Sequence, residues 1–534
     1  MGAGRLVVGG WWRAAALACA VSSAAQAQAP AASRLWRPEE RALITDLSSV
    51  SAVAASRSVV YAATPFGLAV YDRAGNRWRE TVGPLEGYPR TPITAMAADP
   101  SDDMAWLGGQ GIWLSWQPFG REWDSGVLPG TADQVVLDSG SPSSGAYFHT
   151  TAGWFFVARG SFAAAPAGAL PASRLGSLSW SDVQRRLPAF DAVRLRVEQD
   201  EALRPYRVTS AALVPVTGEV VLGTNGNGTF SLDPVGYAVM QLPLGLLGGA
   251  AGAVAVWRGQ VCAATDARIA AARRAIACFA EDAGDMTIIE GSRGVPALPG
   301  TEARALLVTE RAVWAATNAG LVRVDRRGGR PVRVDTRDGL PADDVYALAA
   351  AAPVGVWAGT ASGVALIADT ARAPVVTQSV PGEAVLSLLA ASDTLFVGSA
   401  AGLFALPPLG ERMVPLTGPG PLREPIVALA SKGDSVLAAT ASRFLVRAGG
   451  TWEVVEPPGA RIGRITGVAA DPAGFWVSGT QGVAFFDPSR RLWNALVAPG
   501  DVAMPVAGIA ASRTYVWAAT PIGVLRYERR VLLP

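Results

Sequence analysis

A short phrase returns along the whole chain at nearly regular intervals. It has an aromatic or aliphatic pair, two small residues, Thr, Ser or Gly, a tight turn, and then Gly before an apolar run, as in VYAATPFGLAVY (60–71) and VWAATPIGVLRY (516–527). Eleven copies are centred on Thr64, Gly109, Thr150, Thr224, Thr265, Thr317, Thr360, Ser399, Thr440, Gly479 and Thr520. Eight of the ten intervals between these centres are 39–45 residues long, so the chain is built from a repeated unit.

Each unit divides into four short apolar runs separated by turn residues, as in the stretch that begins at Asp343. Gly or Asn occupies the turn between the second and third runs, most clearly at Asn225–Gly228, where a tight hairpin needs positive φ. A repeated four-stranded antiparallel unit of this length is a β-propeller blade. A β-helix is disfavoured because its periods are shorter and it lacks hairpin turns. The predicted fold is all-β, a β-propeller with about 11–12 four-stranded blades.

Propellers usually close with 4–8 blades, so this number predicts two propellers, most simply in tandem. We expect the first over residues 34–300 and the second, of about six blades, over 301–534. In a second arrangement the two ends of the chain share one ring and the middle forms the other. An irregular, partly helical insertion is predicted near 161–205, with Ser179 or Ser181 as its N-cap, and it is either an insertion or a degenerate twelfth blade.

The last copy of the phrase is followed by too little chain for a complete blade. Trp36, within Ser33–Glu40, stands where other units carry a fourth-strand tryptophan. We therefore predict that the N-terminal segment supplies or reinforces the outer strand of a closing blade.

The N-terminus has the pattern of a secretory signal peptide. Arg5 and Arg13 precede an apolar run over 14–25, and Ala25-Gln26-Ala27 forms a small-residue exit. We expect residues 1–27 to be removed by cleavage after Ala27, which predicts a periplasmic or secreted protein without an integral membrane segment. Lipid attachment at Cys19 is the less favoured alternative.

The stretch DTRDGLPADDVYALAAAAPVGVWAGTASGVALI (335–367) resembles the propeller repeat of periplasmic sensor regions in two-component regulators. More weakly, Leu43–Trp78 is similar to the opening of the double-propeller surface component of the type IX secretion system. Both resemblances imply a β-propeller fold, and they imply a sensory or envelope-assembly role only as an expectation.

Composition excludes several classes of function. The formal net charge of +2 gives no electrostatic reason to expect nucleic-acid binding. His149 is the single histidine, so a His/Cys zinc site is disfavoured, and we expect neither a metal nor a cofactor. The acidic run Asp99–Asp103 is interpreted as a turn rather than a calcium loop. The second-strand tryptophans Trp106, Trp314, Trp357, Trp476 and Trp517 are interpreted as core.

Two cysteines remain after the predicted cleavage, Cys262 and Cys278. They fall in neighbouring strands of the fifth unit, opposite each other or within one register step. In an oxidising compartment this predicts a structural cross-strand disulfide.

The favoured function is an exported, non-enzymatic propeller that binds a protein, peptide or glycan as a scaffold or sensory module. The alternatives are a hydrolase or lyase with its site in a central channel, and a component of an envelope secretion assembly. Topology places the second turns and the connectors between blades on one face, which makes the following the candidate binding residues: Tyr88, Arg90, Asn225, Asn227, Asn318, Asp338, Asp343 and Gln481.

Overall fold

In the computed structural model each repeat is an antiparallel sheet whose strands follow one another along the chain. The structure describes residues 40–529, apart from gaps at 139–141, 169, 171–173, 188–189, 234–237, 269–272, 283–285, 293–294, 327–328, 352–354, 371–372, 392, 408–409, 460 and 499. The described residues form eleven blades, as predicted, and they lie within one compact unit.

The first three blades follow a short N-terminal strand, β1 (Arg41–Ile44). Blade 1 contains β2 (Ala52–Ala55), β3 (Val59–Thr64), β4 (Gly67–Asp72) and β5 (Arg77–Val82). Blades 2 and 3 share one long strand and contain β6 (Ile93–Ala98), β7 (Ala105–Gln117), β8 (Glu122–Asp138), β9 (Gly145–Thr150), β10 (Gly153–Ala158) and β11 (Ala165–Pro166). The first half of β8 pairs with β7 and its second half pairs with β9.

The predicted insertion lies between blades 3 and 4. It contains β12 (Arg174–Gly176), α1 (Trp180–Arg186) and α2 (Phe190–Glu198). Ser179 is the N-cap of α1, because its hydroxyl accepts from the backbone N–H of Asp182. The apolar side chains of these helices pack on blade 4, which contains β13 (Val208–Leu213), β14 (Val220–Thr224), β15 (Thr229–Leu232) and β16 (Val239–Gln241). The insertion is therefore a helical cover on one blade and not a twelfth blade.

Blade 5 contains β17 (Ala251–Trp257), β18 (Gln260–Thr265), β19 (Ile276–Ala280) and β20 (Met286–Ile289). A two-stranded hairpin follows it, with β21 (Gly291–Ser292) and β22 (Val295–Pro296). Cys262 and Cys278 lie directly opposite each other in β18 and β19 and form the predicted disulfide.

Five regular blades come next. Blade 6 contains β23 (Ala303–Val308), β24 (Ala312–Thr317), β25 (Gly320–Asp325) and β26 (Val332–Val334), and blade 7 contains β27 (Val345–Ala351), β28 (Gly355–Thr360), β29 (Gly363–Asp369) and β30 (Pro374–Pro381). Blade 8 contains β31 (Val385–Ala391), β32 (Thr394–Ser399), β33 (Gly402–Leu406) and β34 (Val414–Pro415), and blade 9 contains β35 (Ala428–Lys432), β36 (Ser435–Ala439), β37 (Phe444–Ala448) and β38 (Thr451–Val455). Blade 10 contains β39 (Ile465–Ala470), β40 (Phe475–Gly479), β41 (Gly482–Asp487) and β42 (Leu492–Val497). Short 3-10 segments occur at Pro84–Glu86, Thr336–Asp338 and Gly420–Arg423.

The last blade joins the two ends of the chain. It contains β43 (Gly508–Ala511), β44 (Tyr515–Thr520) and β45 (Gly523–Glu528), and β1 is its outermost strand. Arg41 pairs with Tyr527, and the register continues to Ile44 opposite Val524. The prediction of a shared closing blade is confirmed, but the strand is 41–44 rather than Ser33–Glu40. Trp36 lies outside the described residues.

Contacts between first strands show how the blades are grouped. In one group β17 contacts β23, and the contacts continue through β27, β31, β35 and β39 to β43, which returns to β17. In the other group β2 contacts β6 and β13, β6 contacts β8, and Ser177 bridges from β8 to Ala212 in β13. We refer to these as the seven-blade group (blades 5–11) and the four-blade group (blades 1–4). The contacts favour the arrangement in which the chain ends share a ring over a tandem boundary at residue 300.

Two linkers connect the groups and pair with each other. The amide of Leu47 donates to the carbonyl of Leu244 at 2.8 Å, and the amide of Leu246 donates to that of Thr45 at 2.8 Å. Gly245 has a φ of 68°. A Cβ at this position would meet the Thr45 carbonyl oxygen at 2.2 Å, so only glycine allows the linkers to approach this closely.

The repeated Thr or Ser has a local structural role. At Thr64, Thr317 and Thr520 the buried hydroxyl donates across the turn to the carbonyl of the glycine three residues later, at 2.6–2.9 Å. The glycines at 320 and 523 have φ of 112° and 129°, a region that favours glycine. The repeated phrase therefore encodes the hairpin between the second and third strands.

The tryptophans confirm the core interpretation. Trp106, Trp314, Trp476 and Trp517 are almost fully buried between blades, and Trp357 is half-buried against the cluster of blades 7 and 8. The fourth-strand tryptophans lie nearer the surface, where Trp78 donates to the carbonyl of Pro243 and Trp493 to that of Glu456.

The disulfide gives a direct test of blade 5. We expect the intact protein to gain two daltons on reduction, and the double variant Cys262→Ala/Cys278→Ala to lose about 2–3 kcal/mol of unfolding free energy, because a loop of this length is freed in the unfolded chain. Mass spectrometry with and without reductant measures the change in mass. Denaturant melts measure the loss of unfolding free energy. Free thiols in the exported protein would contradict the assignment.

Candidate functional site

A cleft of about 890 Å³ lies where the helical insertion, blade 4 and blade 5 meet. Its lining comes from α2 and the loop after it, from the second turn and fourth strand of blade 4 with the linker that follows, and from blade 5. The lining residues are Leu195, Arg196, Gln199, Asp200, Glu201, Ala202, Leu203, Arg204, Asn227, Gln241, Leu244, Leu247, Arg273, Ile288, Glu290 and Gly291. We call this the inter-group cleft, since blade 4 and blade 5 belong to different groups.

The loop of the insertion holds an aliphatic side chain open to solvent. Its ends are joined by a bridge between Gln199 and Pro205, and the amide of Leu203 donates to the carbonyl of Asp200 at 2.9 Å. Leu203 has a φ of 61° and is 62% exposed. A left-handed leucine costs on the order of 1 kcal/mol, and such residues concentrate at functional sites. Leu195, 67% exposed, lines the same cleft.

An ion network of charged side chains lines the cleft. Glu290 accepts from Arg204 at 2.6 and 2.8 Å and from Arg273 at 2.8 and 2.6 Å. Arg204 also donates to Asp200 at 2.6 Å, while Arg273 donates to the carbonyl of Gly226 at 3.1 Å. The network therefore ties together the insertion, blade 4 and blade 5.

The network keeps its carboxylates ionised. Burial raises the pKa of Glu290, but the hydrogen bonds from Arg273 and Arg204 outweigh burial and hold the pKa below its ordinary value. The pKa of Asp200 is also lowered, because hydrogen bonds from Arg204 and Tyr206 overcome the cost of burial. Neither carboxyl group is suited to donate a proton near neutral pH.

Replacing Glu290 tests this network. We expect Glu290→Gln to lower the unfolding free energy by about 2–4 kcal/mol, because two partly buried guanidinium groups lose their shared counter-charge. Since the folded pKa is depressed, the Glu290 contribution is present above its ordinary value of 4.5 and lost as the pH falls through the folded pKa. The difference in unfolding free energy between the wild type and Glu290→Gln should therefore become smaller at acidic pH.

Glu198→Gln is the matched control for that experiment. Glu198 pairs with Arg194 one turn away on α2, at the surface. Such a helix pair contributes about 0.3–0.5 kcal/mol. Denaturant melts at several pH values compare the three proteins, and equal stabilities of the two variants would contradict the proposed role of the network.

Amide side chains and the charged residues Arg196 and Glu201 form the rest of the polar lining. Asn227 is buried, and its amide donates to the carbonyls of Val197 at 3.0 Å and Gln199 at 3.1 Å. The side-chain amide of Gln241, which also lines the cleft, donates to the backbone and side-chain carbonyls of Asn227 at 2.8 and 3.1 Å. The cleft thus combines a group of aliphatic side chains with a larger number of polar and charged ones.

Of the predicted binding residues, the structure places Asn227 in this cleft. Asn225 lies beside it and accepts from the amide of Arg207 at 2.7 Å. Tyr88 is buried, and its hydroxyl donates to the carbonyl of Thr64 at 3.0 Å within blade 1. Arg90 is exposed in the connector to blade 2.

The remaining predicted residues lie in the seven-blade group. Asp343 accepts from the amide of Thr336 at 2.7 Å, and Asp338 accepts from that of Asp335 at 3.0 Å. Asn318 accepts from the amide of Thr301 at 3.0 Å, and Gln481 is exposed in the second turn of blade 10. These contacts order turns and connectors, and a binding role for these residues stays a prediction.

The single histidine lies on blade 3, outside the cleft lining. Nδ1 of His149 is 2.6 Å from the Asp133 carboxylate, and the ring lies 4.9 Å from that of Trp154.

Asp99 accepts from Ser101, Ser143 and Arg159, which confirms that the acidic run is a turn. A pocket of about 100 Å³ in the four-blade group is lined mainly by apolar residues of its first strands, such as Ala54 and Ala97.

Comparison with known proteins supports the fold. The chain matches no protein-family model and no curated protein sequence. Among solved structures, it is similar to PorZ, an essential surface component of the type IX secretion system of Porphyromonas gingivalis, with 10% identity over 92% of this chain and 87% of that one and a TM-score of 0.53. It shares that protein's β-propeller fold.

Two further solved structures match with TM-scores below 0.5. They are extracellular domains from B. thetaiotaomicron, one of a putative one-component system and one of a putative hybrid two-component system. The one-component domain is 14% identical over 90% of this chain and 75% of that one, with a TM-score of 0.43. The two-component domain is 13% identical over 90% of this chain and 68% of that one, with a TM-score of 0.42. The PorZ match is to the secretion-system component that Leu43–Trp78 resembles. No helix in the described part of the chain is long and apolar enough to span a membrane.

Sequence reasoning did not identify Arg204, Arg273 or Glu290 as parts of a site. The signal that pointed towards Arg204 was the 74-residue interval between Thr150 and Thr224, where the repeat is interrupted; Arg273 and Glu290 lie outside that interval. An insertion in a regular repeat marks a place where one face departs from the common pattern.

Proposed function

We propose that this protein is an exported, non-enzymatic β-propeller that binds a protein, peptide or glycan in the cell envelope, with the inter-group cleft as its ligand site. The observation that carries the proposal is Leu203, an exposed aliphatic side chain held by a left-handed backbone over a cleft of about 890 Å³. This volume lies within the range of small-ligand and peptide sites. Contact with a ligand would remove that apolar surface from water.

A binding role is favoured over catalysis by the state of the polar groups. Two of the three carboxylates of the cleft, Asp200 and Glu290, are neutralised by arginines, so they are poor general acids and bases. His149, with Asp133, lies on another blade, and the pocket between first strands of the four-blade group offers mainly alanine and other apolar side chains. A channel hydrolase or lyase is therefore the weaker alternative.

The envelope location is supported by the signal-peptide pattern over residues 1–27 and by the fold shared with PorZ. Because PorZ is described as a surface component of a secretion system, membership of an envelope secretion assembly is a second candidate function. Co-purification of the protein with other envelope components would favour it over a free binding protein.

Leu203→Asp tests the ligand site. Aspartate tolerates the left-handed region, so we expect the variant to fold normally but to lose affinity roughly tenfold or more, since a charge replaces the apolar contact. The wild-type protein and the variant are screened against a random linear peptide library and an oligosaccharide array, and affinities are measured by calorimetry.

Val216→Asp is the matched control. Val216 is also aliphatic, exposed (85%) and left-handed (φ 77°), but it lies in the first turn of blade 4, at the opposite end of β14 from Asn227. The Val216→Asp variant should bind the selected ligands with the affinity of the wild type. Absence of binders in both libraries, or binders that tolerate Leu203→Asp, would refute the cleft as the ligand site.

A further inference from the structure

We infer, on the basis of the proposed function, that the ligand of the inter-group cleft is an extended peptide segment with an aliphatic side chain, not a glycan. Three properties of the cleft favour such a peptide: the type of apolar side chain that lines it, the donors and acceptors left for a ligand, and the position of blade 5's outer strand.

The apolar lining is aliphatic. It consists of Leu195, Ala202, Leu203, Leu244, Leu247 and Ile288. Among the described lining residues there is no aromatic side chain. A sugar is usually held by packing its C–H face on an aromatic ring, whereas branched aliphatic surfaces complement Leu, Ile or Val side chains. The lining therefore favours a peptide over a saccharide.

Two of the three carboxylates that line the cleft, Glu290 and Asp200, are poorly placed to bind sugar hydroxyls, while the third, Glu201, is exposed. Glu290 already accepts four hydrogen bonds from two arginines, and Asp200 accepts from Arg204 and Tyr206. Carboxylates that bind saccharides need free lone pairs. The neutral amides are more available, since the carbonyl oxygen of Gln241 remains free to accept from a peptide N–H.

An outer strand also borders the cleft. Ile288 belongs to β20, the outermost strand of blade 5, which pairs only with β19 among the described strands. An edge strand presents unpaired N–H and C=O groups, and an extended peptide pairs with such an edge by adding a strand. We therefore place the peptide along the outer edge of β20, with an aliphatic side chain against Leu203 and Leu195.

Backbone methylation of a bound peptide tests this arrangement. The tightest linear peptide from the library is resynthesised with N-methyl groups at each position in turn and measured against the full-length protein. Strand addition predicts a loss of roughly tenfold or more at alternate positions and little change between them, because successive N–H groups of a strand point in opposite directions. Replacing its aliphatic anchor by Ala should weaken binding to wild type strongly and to Leu203→Asp much less.

The outcomes separate this inference from the proposed function. An oligosaccharide that binds in a Leu203-dependent manner, without a competing peptide, would overturn the peptide inference and keep the cleft as the ligand site. A Leu203-dependent peptide that tolerates N-methylation everywhere would overturn strand addition. Peptide binding that is equal in wild type and Leu203→Asp would overturn the proposed site itself, and Val216→Asp shows whether any loss is specific.

Discussion

A chain that begins at Thr45 will lose cooperative folding well below the melting temperature of a chain that begins at Glu40. The first lacks β1 and the second keeps it, so the comparison isolates the strand that closes blade 11. Leu43 and Ile44 are buried in two different core clusters. Their burial alone contributes about 3–6 kcal/mol. Without β1 the edge of β45 is also left unpaired, which favours aggregation.

Thermal unfolding followed by circular dichroism measures this effect, with both chains exported behind the same foreign signal peptide. Leu43→Asp in the longer chain supplies an independent test, because it retains the backbone of β1 but places a charge in the core. Superimposable melting curves for the two chain lengths would contradict closure of the blade by β1.

Glu86→Gln will destabilise the protein by about 3–5 kcal/mol, the cost of breaking a buried ion pair by removal of one partner. Nε and Nη2 of Arg41 donate to one carboxylate oxygen of Glu86 at 2.8 and 2.6 Å, and the side chains are only 4% and 10% exposed. The second oxygen accepts from the amide of Gly83 at 2.9 Å. Glutamine keeps one acceptor, but its NH₂ group must face either that amide or the guanidinium, and the buried charge of Arg41 loses its partner.

Two further proteins make this result specific. Glu453→Gln removes an exposed partner of Arg491, and the expected loss is below about 1 kcal/mol because surface pairs are screened by water. The double variant Arg41→Met/Glu86→Leu should regain much of the stability, since an apolar pair removes the unpaired charge. Denaturant melts compare the four proteins, and a loss in Glu86→Gln no larger than in Glu453→Gln would refute the buried pair.

The Arg41–Glu86 pair also links the two groups of blades. Arg41 belongs to the closing strand of the seven-blade group, and Glu86 follows blade 1 of the four-blade group. The network of Arg204, Glu290 and Arg273 forms a second link through the insertion. With the paired linkers at Thr45 and Leu246, these contacts hold blade 4 and blade 5 in the arrangement that forms the cleft.

The repeat in the sequence was enough to predict those parts of the structure that are stabilised by contacts between residues near in the chain. Thr64 and Thr520 bond within their own hairpins, and each blade pairs strands that lie within one unit of sequence. The number of blades, their strand order and the buried tryptophans therefore followed from periodicity alone. The Cys262–Cys278 pair was predictable for the same reason, since its partners are in adjacent strands.

The grouping of the blades and the cleft depended on tertiary contacts. Blade 5 carries the same local pattern as its neighbours, and only the contact of β17 with β43, about 250 residues later, assigns it to the group that β1 closes. Glu290 likewise meets Arg204 only because the insertion folds back over blade 4. The sequence alone determined what each blade is, since a hairpin is stabilised by residues near in the chain. Which blades meet, and the site formed between them, were decided by side chains that only the folded chain brings together.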